Sequence, residues 1–164
     1  MACLRSVVFW SIAWFMAVTL KLWHLPLPAY SRNIRNEIKK SKKIYFLDNG
    51  IRNAVIGNFL TPESRTDTGA LWENYLISER RKITGNNGVN AHAFFWRTTQ
   101  QQEIDYIEEQ GEALYACEFK WNPKKKNVGF PKTFLKGYPR AKTLLFTPAN
   151  YDKFLTNSTP NLEP

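Results

Sequence analysis

The sequence predicts an α/β domain around a mixed sheet, in the order helix, strand, strand, strand, helix, strand from residue 69 onward. Three observations carry this. "GALWENYLISERRKITG" places Trp72, Leu76, Glu79 and Ile83 at i, i+4, i+7 and i+11, the spacing of one helical face, and ends near Gly85. Three strand-like runs follow: "AHAFFWRT" (91–98), "EIDYIEE" (103–109) and "EALYACEFK" (112–120). Gln110-Gly111 separates the last two, a tight hairpin signal. Finally, "GFPKTFLKGYP" (129–139), with Pro131 early and Gly137 late, reads as a short helix before a buried strand, "AKTLLFT" (141–147).

Upstream, Ser6 to Leu20 is an uncharged, mostly apolar run of fifteen residues, short of the roughly 20 that span a bilayer as a helix. It fits the hydrophobic part of a secretory signal, a short membrane anchor, a buried element or a misread start. Pro26 and Pro28 then break the chain, and a basic stretch follows as short helix or ordered loop. "KKIYFLD" (42–48) reads as a strand entering a turn at "DNG", and "IRNAVIG" (51–57) as a short helix ended by Gly57. Thr61 to Thr68 is a loop, "TTQQQ" (98–102) links two strands, and Pro123 stops the strand before it. The organisation expected is an atypical segment at 1–28, one domain at 29–149 and a frayed polar tail at 150–164.

The chain has 164 residues, enough for one domain with a core, and carries a formal net charge of +9. That charge invites polyanionic partners, nucleic acid first. It lies in two tracts, "SRNIRNEIKKSKK" (31–43) and Lys120 to Lys142, the second with eight basic residues, no acid, and interleaved Trp121, Phe130, Phe134 and Tyr138. Such a pattern suits a phosphate backbone with occasional base stacking, or a solvated surface. Lys124, Lys125, Lys126 and Arg97 are the candidate nucleic-acid contacts. Only Cys3 and Cys117 are present, without zinc spacing, so a reducing, cytoplasmic setting is the default. Residues 6–20 leave membrane association open.

Inside the apolar run "EALYACEFK", Glu118 and Lys120 stand two apart and so share a face of the strand. Two charges there are a salt-bridged strand end or half of a metal site. Asp105 on the neighbouring strand gives the spacing D-x(12)-E-x-K, with two carboxylates on adjacent strands. That pair suits magnesium, which favours one or two carboxylates plus waters and a substrate phosphate. A lysine beside the ion can orient the attacking water or offset charge on the phosphate. Glu73, on the preceding helix, offers a further carboxylate. Each also has a bland role: Glu73 as an exposed helix residue, Asp105 as a polar strand face, Glu118 and Lys120 as partners of each other or of Arg97. His92 reads as a packed or capping histidine, and Trp96 with Arg97 ends its strand within possible reach of substrate.

"LWENYL", "EIDYIEE" and "CEFKW", in that element order, resemble the PD-(D/E)XK nuclease superfamily. The resemblance implies a restriction-endonuclease-like core, with Asp105, Glu118 and the helix carboxylate Glu73 as ligands of Mg²⁺ or Mn²⁺ and Lys120 as catalytic lysine. It adds the Phe119 carbonyl as a further ligand. More narrowly, "YSRNIRNEIKKSKKIYFLDNGIRNAVIGNF", "GALWENYLISERRK" and "FFWRTTQQQEIDYIEE" are similar to the C-terminal domain, itself of unknown function, of prokaryotic AAA+ ATPases. This second resemblance spans about residues 29–146 and not 1–28. It implies a C-terminal fragment severed from its ATPase module, after a replaced or misread junction. The chain has no G-x-x-x-x-G-K-[ST], so no ATPase activity is expected of it. The function implied is phosphodiester cleavage in DNA or RNA; the alternative is a non-catalytic nucleic-acid- or protein-binding regulatory domain of the same fold.

Overall fold

The computed structural model describes residues 23–32, 37, 41–122 and 129–160. A four-stranded mixed sheet runs in the order β3 (His92–Arg97), β4 (Glu103–Gln110), β5 (Ala113–Phe119), β6 (Lys142–Phe146). The first three strands are antiparallel, and β6 lies parallel to β5. A parallel neighbour needs a long crossover, and here it carries a short helix, α3 (Lys132–Gly137). From the long helix α2 (Thr68–Asn86), the order is therefore helix, strand, strand, strand, helix, strand, as the sequence predicts. Gly111, at φ 57°, supplies the left-handed turn between β4 and β5.

Two details of local chemistry differ from expectation. Asp48 does not open a turn at "DNG". It caps α1 (Asn49–Ile56), accepting the Ile51 N–H at 3.0 Å, and Gly57 closes that helix in the left-handed region. In β4, alternation fails. Phe94 faces Ile107 and Trp96 faces Ile104, so β4 advances three residues where β3 advances two. This bulge puts Ile104 and Ile107 in one core cluster, whereas strict alternation separates them. Asp105 lies within the bulge.

Helices cover both faces. Trp72, Leu76 and Ile77 of α2 pack with Phe154 against Phe95, Tyr106, Cys117 and Phe119. On the other face Phe134 and Tyr138 cover Trp96, Ile104, Ile107 and Ala116. Buried Glu37 accepts hydrogen bonds from Trp96 Nε1, the Tyr138 hydroxyl and the Ser31 hydroxyl, tying residues 31 and 37 to this second layer. Trp96 is thus a packed core residue and not a substrate contact.

Two elements lie outside the expected domain bounds of 29–149. Residues 24–28 belong to the domain. They form β1 (His24–Pro28), paired antiparallel with β2 (Lys42–Phe46), and Leu27 is buried in the core. The tail is not frayed at 150, because Tyr151–Thr156 forms a helix, α4, whose Phe154 is fully buried. Its anchor is Arg80 of α2, which pairs with Glu108 at 2.7 Å, both side chains without solvent exposure. Arg80 also donates to the carbonyls of Phe154, Asn157 and Ser158. No helix among the described residues is long and apolar enough to cross a membrane, and residues 6–20 lie outside them.

Arg80→Met strands a buried carboxylate and removes the donors of three carbonyls. We expect a loss of about 3–5 kcal/mol in urea unfolding, against under about 0.5 kcal/mol for a change at exposed Glu112. A loss no larger than the Glu112 control would remove the pair from its structural role.

Candidate functional site

The site begins where β4 and β5 part. Their last paired residues are Tyr106 and Cys117. Beyond them the Phe119 N–H donates to Asp105 Oδ2 at 3.0 Å, so a side chain takes the place of a strand partner. The Lys120 N–H donates to the Phe146 carbonyl of β6, which holds the strand end straight. Glu118 and Lys120 therefore project together, with Lys120 Nζ 2.8 Å from Glu118 and 3.6 Å from Asp105. Sequence reasoning expected these three residues to meet, and they do. Glu118 and Lys120 pair with each other, while Arg97 pairs with Glu103.

Burial and the neighbouring Asp105 charge push the Glu118 carboxyl up to about 7, and the ammonium of Lys120 offsets this only in part. Burial works against the Lys120 ammonium, but Asp105 and Glu118 outweigh it and hold its pKa above the ordinary value. A carboxylate strained in this way gains from a cation, and such perturbed groups concentrate at functional sites.

Glu73 enters from α2. The next residue, buried Asn74, bonds both the N–H and the carbonyl of Phe46 and so locks the helix against β2. Glu73 thereby meets Lys43 and Tyr45, which share a face of β2. It accepts from the Tyr45 hydroxyl and from Lys43 Nζ, the latter at 3.0 Å. Burial, with the Asp105 charge second, raises the Glu73 pKa, and the Glu73 carboxylate in turn contributes to raising the Tyr45 hydroxyl, after burial. Lys43 also pairs with Glu103, which pairs with Arg97. Burial resists ionisation of Glu103, but these two cations keep it below the ordinary carboxylate range.

Lys43, Tyr45 and Glu103 are the residues that sequence reasoning missed. The available signal was the i, i+2 spacing of Lys43 and Tyr45 in "KKIYF". Among the described residues, Asp105 and Glu118 are the carboxylates that stand together beside Lys120, two oxygen donors of the kind a hard cation takes. Among the described residues no three His, Cys, Asp or Glu side chains are grouped to hold a metal, and Glu73 is committed to β2. Lys124, Lys125 and Lys126 lie outside the described residues. A cavity of about 430 Å³ beside the Gly111 turn, lined by Arg32, Tyr138 and Arg140, contains none of the candidate residues.

The fold is thus a mixed α/β domain with an acidic and lysine-bearing cluster at one sheet end. It belongs to the family described as domain of unknown function (DUF4143), which matches residues 68–159, more than half of the chain. The chain is also 30% identical over 96 residues to uncharacterized proteins of Mycobacterium bovis and Mycobacterium tuberculosis. That similarity covers 57% of this chain and 21% of each relative, so the chain spans about a fifth of the relatives' length. No solved structure matches it.

Glu118 gives the site a pH signature. Its carboxyl titrates at about 7 in the fold and near 4.5 ordinarily, so the native state holds the proton longer than the unfolded chain. Stability is therefore lost as pH rises from about 4.5 to about 7, by up to roughly 3 kcal/mol. Glu118→Gln should flatten this part of the curve of unfolding free energy against pH. An unchanged slope in the variant would assign the dependence to another group.

Proposed function

We propose that this chain is a metal-dependent nuclease-like domain acting on DNA or RNA. In this reading its helix-strand-strand-strand-helix-strand order is a restriction-endonuclease-like core, and the chain is the C-terminal portion of an AAA+ type of protein, working in the cytoplasm. The observation that carries the reading is the convergence of Asp105, Glu118 and Lys120 where β4 and β5 part. Asp105 and Glu118 would hold Mg²⁺ or Mn²⁺, which supplies Lewis acidity toward a phosphodiester and a more acidic water. Lys120, released from its carboxylates, orients the nucleophile or meets charge on the phosphate. Glu73, poised between Tyr45, Lys43 and the Asp105 charge, acts as a positioning carboxylate. The net charge of +9 suits a polyanionic substrate.

A second reading has its own support. Lys120 already closes the ring on Glu118, as a salt-bridged strand end would. On this reading the domain binds nucleic acid or protein without cleaving.

Titration calorimetry of Mn²⁺ and Mg²⁺ into the full chain separates the two, run beside an Asp105→Ala/Glu118→Ala variant checked for fold by circular dichroism. The nuclease reading expects one saturable site that the double variant lacks, tightening as pH rises through about 7 where Glu118 sheds its proton. It also expects metal-dependent cleavage that Lys120→Met lowers by roughly 10²–10⁴-fold, with oligonucleotide binding retained. A folded chain that takes up no metal and cuts neither DNA nor RNA supports the binding-domain reading.

A further inference from the structure

Helix α1 is turned inside out. Asn49, Arg52 and Asn53 share one side of it, at the i, i+3 and i+4 spacing, and hold that side to the domain. Asn49 donates to the Leu71 carbonyl at 3.2 Å, Arg52 pairs with Asp67 at 2.9 Å, and Asn53 accepts from Arg65 at 3.0 Å. The opposite side carries Ile51, Ala54 and Val55, and Ile56, Phe59 and Leu60 follow. Val55, Ile56, Phe59 and Leu60 are between 48% and 74% exposed, and no residue of α1 is buried. So short a helix is ordinarily held by packing of its apolar face. Here the polar side faces inward and the apolar side outward, which marks an interaction surface.

We propose that this surface is covered by residues 6–20 of the same chain, the apolar run that lies outside the described residues. The run ends close to the surface. The described residues begin at Trp23, whose carbonyl accepts the Leu47 N–H at 2.8 Å, and Leu47 adjoins Asp48, the cap of α1. Lys21 and Leu22 alone separate the run from Trp23, about 11 Å of extended chain. Even wound as tightly as an α-helix, fifteen residues reach about 22 Å, and α1 is about 12 Å long.

Three properties select this occupant. The run has no charge that would lose its hydration against an apolar stripe. It is shorter than the roughly 20 residues that span a bilayer as a helix, so it needs another apolar surface. Its tether gives it an effective concentration of about millimolar at α1, which a free partner seldom reaches. Residues 6–20 are then part of the domain and not a membrane anchor. This inference is independent of the nuclease reading.

The test is hydrogen exchange of the full chain as wild type, as Ile12→Asp/Phe15→Asp in the run, and as Val55→Asp/Phe59→Asp on the surface. We expect a reciprocal effect. The run variant should speed exchange in α1 by roughly tenfold or more, and the surface variant should do the same in residues 6–20, with β4 amides unchanged in both. Val55 and Phe59 are exposed, so the surface variant leaves the core intact. A benzoylphenylalanine in place of Phe59 should photo-crosslink to residues 6–20 of its own molecule. Should the run variant also loosen β4, the surface variant and the cross-link decide. Exchange in α1 that ignores the run variant, or in residues 6–20 that ignores the surface variant, would overturn the proposal. A cross-link to a second copy, with α1 protection that fades on dilution, would assign the surface to a dimer instead. Flotation with phosphatidylcholine–phosphatidylglycerol vesicles that Ile12→Asp/Phe15→Asp abolishes would assign the run to a membrane.

Discussion

The rest of the molecule depends on the buried ion pair between Arg80 and Glu108. All five guanidinium N–H groups can be assigned: two to the Glu108 carboxylate and three to the carbonyls of Phe154, Asn157 and Ser158. Glu108 in turn accepts from Arg80 twice, from the Tyr106 hydroxyl and from the Gln110 amide. A buried charge pair is tolerated when its remaining hydrogen-bonding capacity is filled, and here it is. The pair is worth more as a positional constraint than as net stability. It fixes the rotation of α2 over β4 and draws the last helix onto the sheet.

That rotation reaches the candidate site. Glu73 stands seven residues before Arg80, two turns along the same helical face and about 10 Å away. Asp105 stands three residues before Glu108 on β4. The lock and the site are therefore two ends of one α2–β4 contact. They differ in how charge is satisfied. Glu108 has a full complement of donors, whereas Glu118 and Glu73 share space with Asp105 and are pushed toward neutrality by burial and that like charge. One buried carboxylate is thus saturated with donors, while others on the same pair of elements and the neighbouring strand are held against burial and a like charge.

The fold was legible wherever local pattern and tertiary outcome agree. Trp72 and Leu76 bury as their spacing predicts, and Gly111 turns the hairpin. The trio Asp105, Glu118 and Lys120 was legible because Glu and Lys two apart on an apolar strand must share a face. Other features were not, for physical reasons. The bulge at Asp105 is a mismatch between two strands and leaves no mark on either alone. The last helix looked like tail because six residues with one buried Phe154 are too short to form without Arg80 gathering their carbonyls. The role of Glu108 left no local signal, since its partner lies twenty-eight residues back on another element.

The least legible part is β1 and its pairing with β2 into a hairpin. It lies wholly before residue 68, where the family match begins. It nevertheless supplies Lys43 between Glu73 and Glu103, and Tyr45 against Glu73. Without Lys43, Glu73 and Glu103 would lose a cation they share, and the Asp105 charge would act on Glu73 without that offset. Without Leu27 and Tyr45, one side of the core that seats α2 would open to water. The hairpin is thus part of the electrostatic frame of the site. The residues that frame the site reach back at least to β1, some forty residues ahead of the family boundary.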